Sequence, residues 1–346
     1  MTTTEKEIPS SKLTRLARAE VESPTPPQAA GGNADVLPQV LCKRYRIERL
    51  LGVGGMGAVY RAKDLLRAHF GDPEPWVALK ALNESFLEYP DANALLYSEY
   101  ALTNRLHHAH IVRLHDFAID RPSQRAFITM GLLKGPTLDQ LIEAHPAGLP
   151  WQQLQDIALP LLQALVCSHS HGVLHGDLKP SNVILTEDGV RLFDFGLGQA
   201  MDGLLPGLPR LSRKRIAAWT PRYAALELIN GEPLTASADV YAMACILYEL
   251  SGGLHPFSRL TAQQAKDMQQ DQSLQRPANL PVHCWPALRN ALSFDRQHRT
   301  MDAAGLLKVF STAQPNRFVG LLRNYLSGRS GRASASAING TRGMTG

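Results

Sequence analysis

The chain contains few cysteines, and they are scattered. The four are Cys42, Cys167, Cys245 and Cys284 in 346 residues, and no two of them have the spacing of a zinc finger. We recognise no secretory signal ahead of them. This pattern argues against a disulfide-stabilised secreted scaffold and predicts free thiols in a reducing compartment. Cys167 and Cys245 lie in apolar helical runs, which predicts that both pack in a core.

Long apolar runs are also absent. No stretch approaches the roughly 18 uninterrupted apolar residues of a membrane-spanning helix. The longest run, near 240–250, contains Glu249 and is typical of a buried helix. We therefore expect no membrane partner and a cytoplasmic location.

A strong excess of charge is the third absence. The formal net charge is +5, and 19% of the residues are charged. This mild basic balance permits anionic partners but does not require them. No nucleic-acid partner is expected.

The remaining composition is that of a globular protein with polar ends. Hydrophobic residues make up 44% of the chain, enough for one large domain or two lobes. Residues 1–44 are rich in Thr, Ser, Pro, Ala and Gly, and such a segment cannot bury enough surface to offset its ordering entropy. We expect a disordered N-terminal tail there. We expect a C-terminal extension over 313–346, largely disordered from about residue 327.

Strand-like segments come first between these ends, and helical segments follow. The strand-like segments are 45–51, 58–62 and 77–80. The apolar spacing predicts a helix over 91–108 and long buried helices over 154–171 and 238–251. Residues 65–76 read as a surface insertion in a loop. The order predicts an α+β protein with a β-rich lobe over 45–132 and a helical lobe over 136–312.

The most informative text is the run His-Gly-Asp-Leu-Lys-Pro-Ser-Asn at 175–182, followed by Asp-Phe-Gly at 194–196. The run places a carboxylate, an ammonium and an amide on one short loop, and a second carboxylate follows one hairpin later. Phosphoryl transfer needs this set of groups. The two motifs resemble the catalytic loop and the Asp-Phe-Gly segment of eukaryotic-type (Hanks-type) serine/threonine protein kinases, in particular bacterial ones.

This resemblance implies a role for each polar residue of the two motifs. Asp177 would be the catalytic base that accepts the proton of the substrate hydroxyl. Lys179 would neutralise charge on the transferred phosphate. Asn182 and Asp194 would be oxygen ligands for Mg²⁺, with Mn²⁺ as an alternative. The Asp-x-Lys form resembles serine/threonine kinases rather than tyrosine kinases.

A glycine cluster lies near the start of the β-rich part. Gly52, Gly54 and Gly57 fit the pattern G-x-G-x-x-G, whose missing Cβ atoms let backbone N–H groups approach phosphate oxygens. A dinucleotide-binding fingerprint has the same pattern but continues into a helix. The text after Gly57 is strand-like, which favours a phosphate-binding hairpin. The extra Gly55 and Met56 resemble bacterial serine/threonine kinases.

Lys80, in Val-Ala-Leu-Lys, is the candidate phosphate-binding lysine. Glu99 is its candidate partner on the following helix, and Glu88 is the rival for that role. Met130 would be the gatekeeper at the nucleotide pocket, and Leu133 a backbone contact to adenine. The ATP-binding set that the resemblance implies is Leu51, Gly52, Val53, Gly54, Gly55, Met56, Gly57, Val59, Ala78, Lys80, Glu99, Met130, Leu133 and Ile184.

One departure from the family concerns regulation. The family usually has His-Arg-Asp, whose arginine receives a phosphate on the activation loop, and here the residue is Gly176. We predict that activity depends weakly, or not at all, on phosphorylation of that loop. The loop carries basic residues around Ser212. They are typical of a solvent-exposed group of charges, and they could instead bind an acidic substrate or a phosphate on the chain itself.

The same glycine leaves a rival open, because small-molecule kinases of the aminoglycoside phosphotransferase type also have His-Gly-Asp. The sequence after the Asp-Phe-Gly segment favours a protein substrate instead. The segment from Thr220 to Glu227 resembles the peptide-binding segment that ends in Ala-Pro-Glu. Thr220 would hydrogen-bond near Asp177, Arg299 would pair with Glu227, and Asp239 would anchor the catalytic loop.

The resemblance covers residues 45–312 and implies a two-lobed kinase. It would transfer the γ-phosphate of ATP to Ser or Thr hydroxyls of proteins, including its own. A small-molecule phosphotransferase and a non-catalytic ATP-binding scaffold remain as alternatives. Retention of Lys80, Asp177, Asn182 and Asp194 argues against the scaffold.

Overall fold

The computed structural model describes residues 37–54, 57–83, 91–196, 198–201 and 220–312. Several of the predictions above fall outside these described residues. They concern Gly55, Met56, Glu88, Ser212 with its basic neighbours, the first 36 residues of the predicted tail, and the extension 313–346.

A six-stranded antiparallel sheet builds the first lobe. Its strands are β1 (Val40–Leu41), β2 (Tyr45–Val53), β3 (Gly57–Asp64), β4 (Trp76–Leu82), β5 (Leu114–Asp120) and β6 (Arg125–Gly131). The order is β1-β2-β3-β4-β6-β5. Strand β4 pairs on both edges and is buried almost throughout, so a side chain on it is held firmly.

The folded chain begins earlier than predicted. Leu41 is fully buried and pairs with Tyr45, so residues 37–44 are not part of a disordered tail. A two-residue strand with one fully buried leucine is too short a pattern to distinguish from the polar sequence before it.

Within the described residues, two helices accompany this sheet. The insertion after β3 contains α1 (Leu65–His69), where a loop was predicted. The Asp64 side chain caps it by accepting from the peptide nitrogens of Leu66 and Arg67 at 3.0 and 3.3 Å. Helix α2 (Ala92–Thr103) ends before the predicted residue 108. Leu106 is nevertheless buried in the turn that follows, so the apolar spacing continues beyond the end of the helix.

The second lobe is helical. It contains α3 (Leu138–Ala144), α4 (Trp151–Ser170), α5 (Leu226–Ile229), α6 (Ala236–Gly252), α7 (Ala262–Asp267), α8 (Gln270–Ser273), α9 (Trp285–Ala291) and α10 (Ala303–Ser311). Its core lies around α4 and α6. Helix α6 ends at Gly253, whose φ is +76° and whose Cβ, if present, would lie 2.1 Å from the Pro146 carbonyl oxygen. Only glycine suits that helix end.

The cysteines follow the prediction only in part. Cys245 is buried in α6, whereas Cys167 is only half-buried because it shares a face of α4 with the exposed residues Gln163 and Ser170. All four are free thiols.

The candidate site residues lie next to short strands of the second lobe. They are β7 (Val173–Leu174), β8 (Val183–Thr186), β9 (Gly189–Leu192) and β10 (Gln199–Ala200). Strands β8 and β9 form a hairpin. The Leu192 carbonyl accepts from the peptide nitrogen of Val112 at 2.9 Å, which ties the hairpin to the chain after α2.

The prediction of a two-lobed α+β fold is confirmed. Among the described helices, none is both long and apolar enough to cross a membrane.

Candidate active site

Helix α6 holds the catalytic-loop residues in place. The Asp239 carboxylate accepts from the peptide nitrogens of His175 at 2.8 Å and Gly176 at 2.9 Å. The His169 side chain lies 3.1 Å from the same carboxylate. Burial alone would raise the pKa of Asp239, but the hydrogen bond with His169 and the nearby donors hold that pKa below its ordinary value. Asp239 is thus an ionised anchor for the loop.

Asp177 is oriented by two neighbours. The Lys179 ammonium donates to one carboxylate oxygen at 2.5 Å. The peptide nitrogen of Thr220 donates to the other oxygen at 3.1 Å. Lys179 also donates to the Thr220 hydroxyl at 3.0 Å. The structure therefore brings the predicted base, the predicted cation and the start of the predicted substrate segment together.

The two predicted metal ligands lie at the open end of the β8–β9 hairpin, Asn182 just before β8 and Asp194 just after β9. The Asn182 amide nitrogen donates to the Asp177 carbonyl at 2.9 Å. The Asn182 carbonyl accepts from the peptide nitrogen of Phe193 at 3.1 Å, which places Asn182 beside Asp194. Asp194 has a φ of +66°. A non-glycine residue in that region is a strained position of the kind found at functional sites.

Lys80 connects the two lobes. Its ammonium lies 2.7 Å from both carboxylate oxygens of Glu99 on α2 and 2.7 Å from Asp194. Burial alone would lower the pKa of Lys80, but the two carboxylates outweigh burial and raise that pKa above its ordinary value. Burial would likewise raise the pKa of Asp194, and the Lys80 charge lowers it to about 2. Lys80 and Asp194 are both charged at neutral pH.

The described glycines of the predicted phosphate loop are present for two different reasons. A Cβ on Gly52 would meet nothing within 4 Å, and one on Gly54 would meet only the Gly57 carbonyl oxygen at 3.7 Å. A Cβ on Gly57 would lie 2.3 Å from the Ala81 carbonyl oxygen. Gly57 is therefore required by the close packing of β3 against β4. At Gly52 and Gly54 the space that a side chain would occupy is open.

The remaining predicted ATP contacts lie on both lobes. Ala78 and Met130 pair across β4 and β6 and are buried. Val59 and Leu133 pack against the same cluster of the first lobe. The others are Leu51 and Val53, exposed on β2, and Ile184, half-buried on β8.

The predicted substrate segment is fixed at its end by a buried ion pair. The Arg299 guanidinium donates to the two carboxylate oxygens of Glu227 at 2.7 and 3.3 Å. Both side chains are buried. Helix α5 begins at Leu226, where the family pattern has proline.

Two contacts at the site were missed in the sequence. His169 joins Asp239, as described above. The Tyr223 hydroxyl donates to Glu249 at 2.5 Å beneath the substrate segment. The interruption of an apolar run by Glu249 was the available signal, because a buried carboxylate requires a donor.

Comparisons with known proteins agree with this geometry. The family described as protein kinase domain matches residues 45–317. The serine/threonine-protein kinase PkaA of Streptomyces coelicolor is 31% identical, over 72% of this chain and 46% of PkaA. PknD of Mycobacterium tuberculosis is 30% identical, over 79% of this chain and 40% of PknD. The chain thus spans less than half the length of these two relatives.

A solved structure is similar as well. The crystal structure of the Mycobacterium tuberculosis PknI kinase domain aligns with a TM-score of 0.57 and 25% identity, over 81% of this chain and 98% of that one. With the family match over most of its length, the chain belongs to the protein kinase family.

Proposed function

We propose that this chain is an active ATP-dependent serine/threonine protein kinase. One observation carries the proposal: Lys80 lies 2.7 Å from both Glu99 and Asp194. That contact closes only when α2, β4 and the start of the Asp-Phe-Gly segment are all in place. It is the arrangement that phosphoryl transfer requires of a kinase lysine.

The chemistry follows from the charged residues of the site. Lys80 would bind phosphate oxygens of ATP, and Lys179 would offset charge on the transferred phosphoryl group. Asp177 would accept the proton of the incoming hydroxyl and orient its oxygen for in-line attack. The contacts of Asp177 with Thr220 and Lys179 hold the carboxylate in position before substrate binds, so little reorganisation is needed during the reaction.

Asn182 and Asp194 would hold Mg²⁺, and Mn²⁺ is the alternative. Their donor set fits, because Mg²⁺ in phosphoryl-transfer sites uses one or two carboxylates together with substrate phosphates. The Asn182 amide nitrogen is engaged by the Asp177 carbonyl, and within the described residues its side-chain oxygen makes no hydrogen bond. That oxygen is available to a cation. When bound, the ion would neutralise phosphate charge.

A protein substrate is favoured over a small alcohol. The segment after Thr220 lies against Asp177 and ends at the buried Glu227–Arg299 pair. A small-molecule kinase does not need an ordered peptide-binding segment beside its catalytic base. We include autophosphorylation, a signalling role and a cytoplasmic location in the proposal.

The test separates the two substrate classes. Purified protein is incubated with γ-labelled ATP and Mg²⁺, with a generic basic protein and a generic acidic protein as acceptors in separate reactions and a panel of small alcohols and aminoglycosides in another. We expect label on Ser or Thr of a protein acceptor and of the chain itself. Lys80→Met should abolish transfer, and the exposed-lysine control Lys134→Met should not. Label only on a small molecule would overturn the proposal.

A further inference from the structure

Two arginines flank the segment that would receive the protein substrate. Arg222 lies two positions after Thr220, and Arg259 lies in the loop after α6. His255 joins them, because its Nε2 donates to the Arg222 carbonyl at 2.9 Å and its Nδ1 accepts from the Arg259 peptide nitrogen at 3.3 Å. A second peptide nitrogen, that of Phe257, also donates to Nδ1 at 3.2 Å. Since Nδ1 is the acceptor, Nε2 must carry the hydrogen.

Arg222 lies next to the candidate chemistry, and Arg259 is connected to it through His255. The peptide nitrogen of Thr220 contacts Asp177 at 3.1 Å. A small cavity of about 10 Å³ there is lined by Asp177, Thr220 and Tyr223. The Arg222 guanidinium lies 5.3 Å from the centre of the Tyr223 ring. Arg222 therefore belongs to the segment that a peptide whose hydroxyl reaches Asp177 would meet.

Both guanidiniums are available to a ligand. Arg222 is half-buried and Arg259 is exposed. Within the described part of the chain, neither forms an ion pair with a carboxylate. The Arg222 guanidinium lies over the Tyr223 ring, and the charges of both arginines act on the buried Glu249 carboxylate. Their N–H donors are still suited to a planar carboxylate or to a phosphate from outside.

The nearby negative charges are withdrawn from the surface. Glu249 is only 6% exposed and accepts the Tyr223 hydroxyl. Asp139, at the start of α3, is half-buried. His255 adds no charge, because burial and then the two arginines lower its pKa to about 4. The surface offered to a peptide is therefore cationic, although buried carboxylates lie beneath it.

We propose that the protein substrates of this site carry anionic side chains close to the accepting Ser or Thr, and that Arg222 and Arg259 bind them. The proposal rests on the proposed kinase function. An extended peptide advances about 3.3–3.6 Å per residue. An anion two or three residues from the acceptor is therefore in range of a guanidinium two residues from Thr220. The anion is a carboxylate or a phosphate.

The experiment uses four peptides with one threonine acceptor. They differ only at four positions, those two and three residues before the threonine and two and three residues after it. In each peptide these positions all carry one residue type: Glu, phosphoserine, Gln or Lys. We expect kcat/KM to be highest for the anionic peptides and lowest for the Lys peptide. Phosphoserine above Glu would identify phosphate as the preferred anion, and the reverse order would identify carboxylate. The preference should shrink with added salt.

Charge variants of the arginines provide the discriminating readout. Arg222→Ala or Arg259→Ala should lower kcat/KM for the Glu peptide about two- to fivefold, as for an exposed ion pair. The loss should appear in KM, with the Gln peptide unaffected. Replacing both by Glu should make the Lys peptide the best substrate, which a merely structural role would not produce. The exposed-arginine control Arg289→Ala should leave the order unchanged.

The failures of the two proposals are distinguishable. Equal rates on all four peptides, or a wild-type preference for Lys, would overturn the anionic-substrate proposal and leave the kinase function standing. Failure on every peptide and on both generic proteins would overturn the kinase function itself.

Discussion

Asp239 accepts a hydrogen bond from the peptide nitrogen of Gly176 at 2.9 Å, and Gly176 has a φ of +80°. That backbone conformation disfavours residues with a Cβ by about 1–2 kcal/mol. The glycine thus allows Asp239 to hold the residue next to the candidate base without strain. Where the family usually has arginine, this chain has a residue suited to the turn.

Gly176→Ala should therefore both destabilise the protein and lower kcat. The matched control is Gly231→Ala, because Gly231 has the same φ of +80° and a Cβ there would meet nothing within 4 Å. Each substitution should lower the free energy of unfolding by about 1–2 kcal/mol. Only Gly176→Ala should reduce kcat, measured at saturating ATP. Full kcat in that variant would contradict the positioning role.

Arg299→Ala should be strongly destabilising. It would leave the Glu227 carboxylate, which is 3% exposed, without its partner. Removing one member of a buried ion pair costs about 3–5 kcal/mol. Urea denaturation should show that loss, whereas the exposed-arginine control Arg289→Ala should stay within about 0.5 kcal/mol of wild type. A loss below about 1 kcal/mol would mean that Glu227 finds another donor.

Tyr223→Phe tests the contact beneath the substrate segment. It removes the hydroxyl that donates to Glu249 at 2.5 Å and leaves that buried carboxylate unsatisfied. We expect a destabilisation of about 1–3 kcal/mol. The control Tyr248→Phe removes an exposed hydroxyl that donates to the Gln275 carbonyl at 3.0 Å, and it should have a smaller effect. In the background Glu249→Leu, Tyr223→Phe should cost much less, and an unchanged cost would refute the pairing.

His255 should make stability depend on pH. Burial, the first cause, and the neighbouring arginines lower its pKa from 6.5 to about 4 in the folded protein. Between pH 4 and pH 6.5 the unfolded chain binds more protons than the folded protein. The stability that the neutral His255 ring contributes is therefore fully present above pH 6.5 and is lost as the pH falls toward 4. At about 1.4 kcal/mol per pKa unit, the loss is about 3 kcal/mol.

The measurement compares unfolding free energies at pH 7 and pH 4. Wild type should lose about 3 kcal/mol more than His255→Gln across that interval. The control His298→Gln replaces a histidine whose side chain is 80% exposed, and its pH profile should follow wild type. Parallel profiles for wild type and His255→Gln would show that the ring is not held neutral by its surroundings.

The local motifs could be predicted from the sequence because their chemistry is local. Asp177, Lys179 and Asn182 lie on one short loop, so their proximity needs no tertiary information. The assignment of Lys80 to Glu99 depended on the family resemblance, because the two lie on different elements.

Other features could not be read from the sequence because they arise from tertiary packing. Gly57 belongs to the glycine pattern, yet its space is taken by the backbone of β4 rather than left for phosphate. The buried Leu106, in the turn after the helix, continues the apolar spacing of the helix, so periodicity alone could not locate the helix end. The neutral state of His255 depends first on its burial and then on two arginines from separate segments.

The central claim is that Asp177 accepts the proton of a protein hydroxyl beside ATP. The most direct measurement is transfer of label from γ-labelled ATP to a protein acceptor by wild type, Asp177→Ala and the exposed-carboxylate control Asp267→Ala. This mechanism predicts transfer by wild type and by Asp267→Ala, and a loss of about 10²–10⁴-fold for Asp177→Ala. Equal rates for Asp177→Ala and wild type would contradict it.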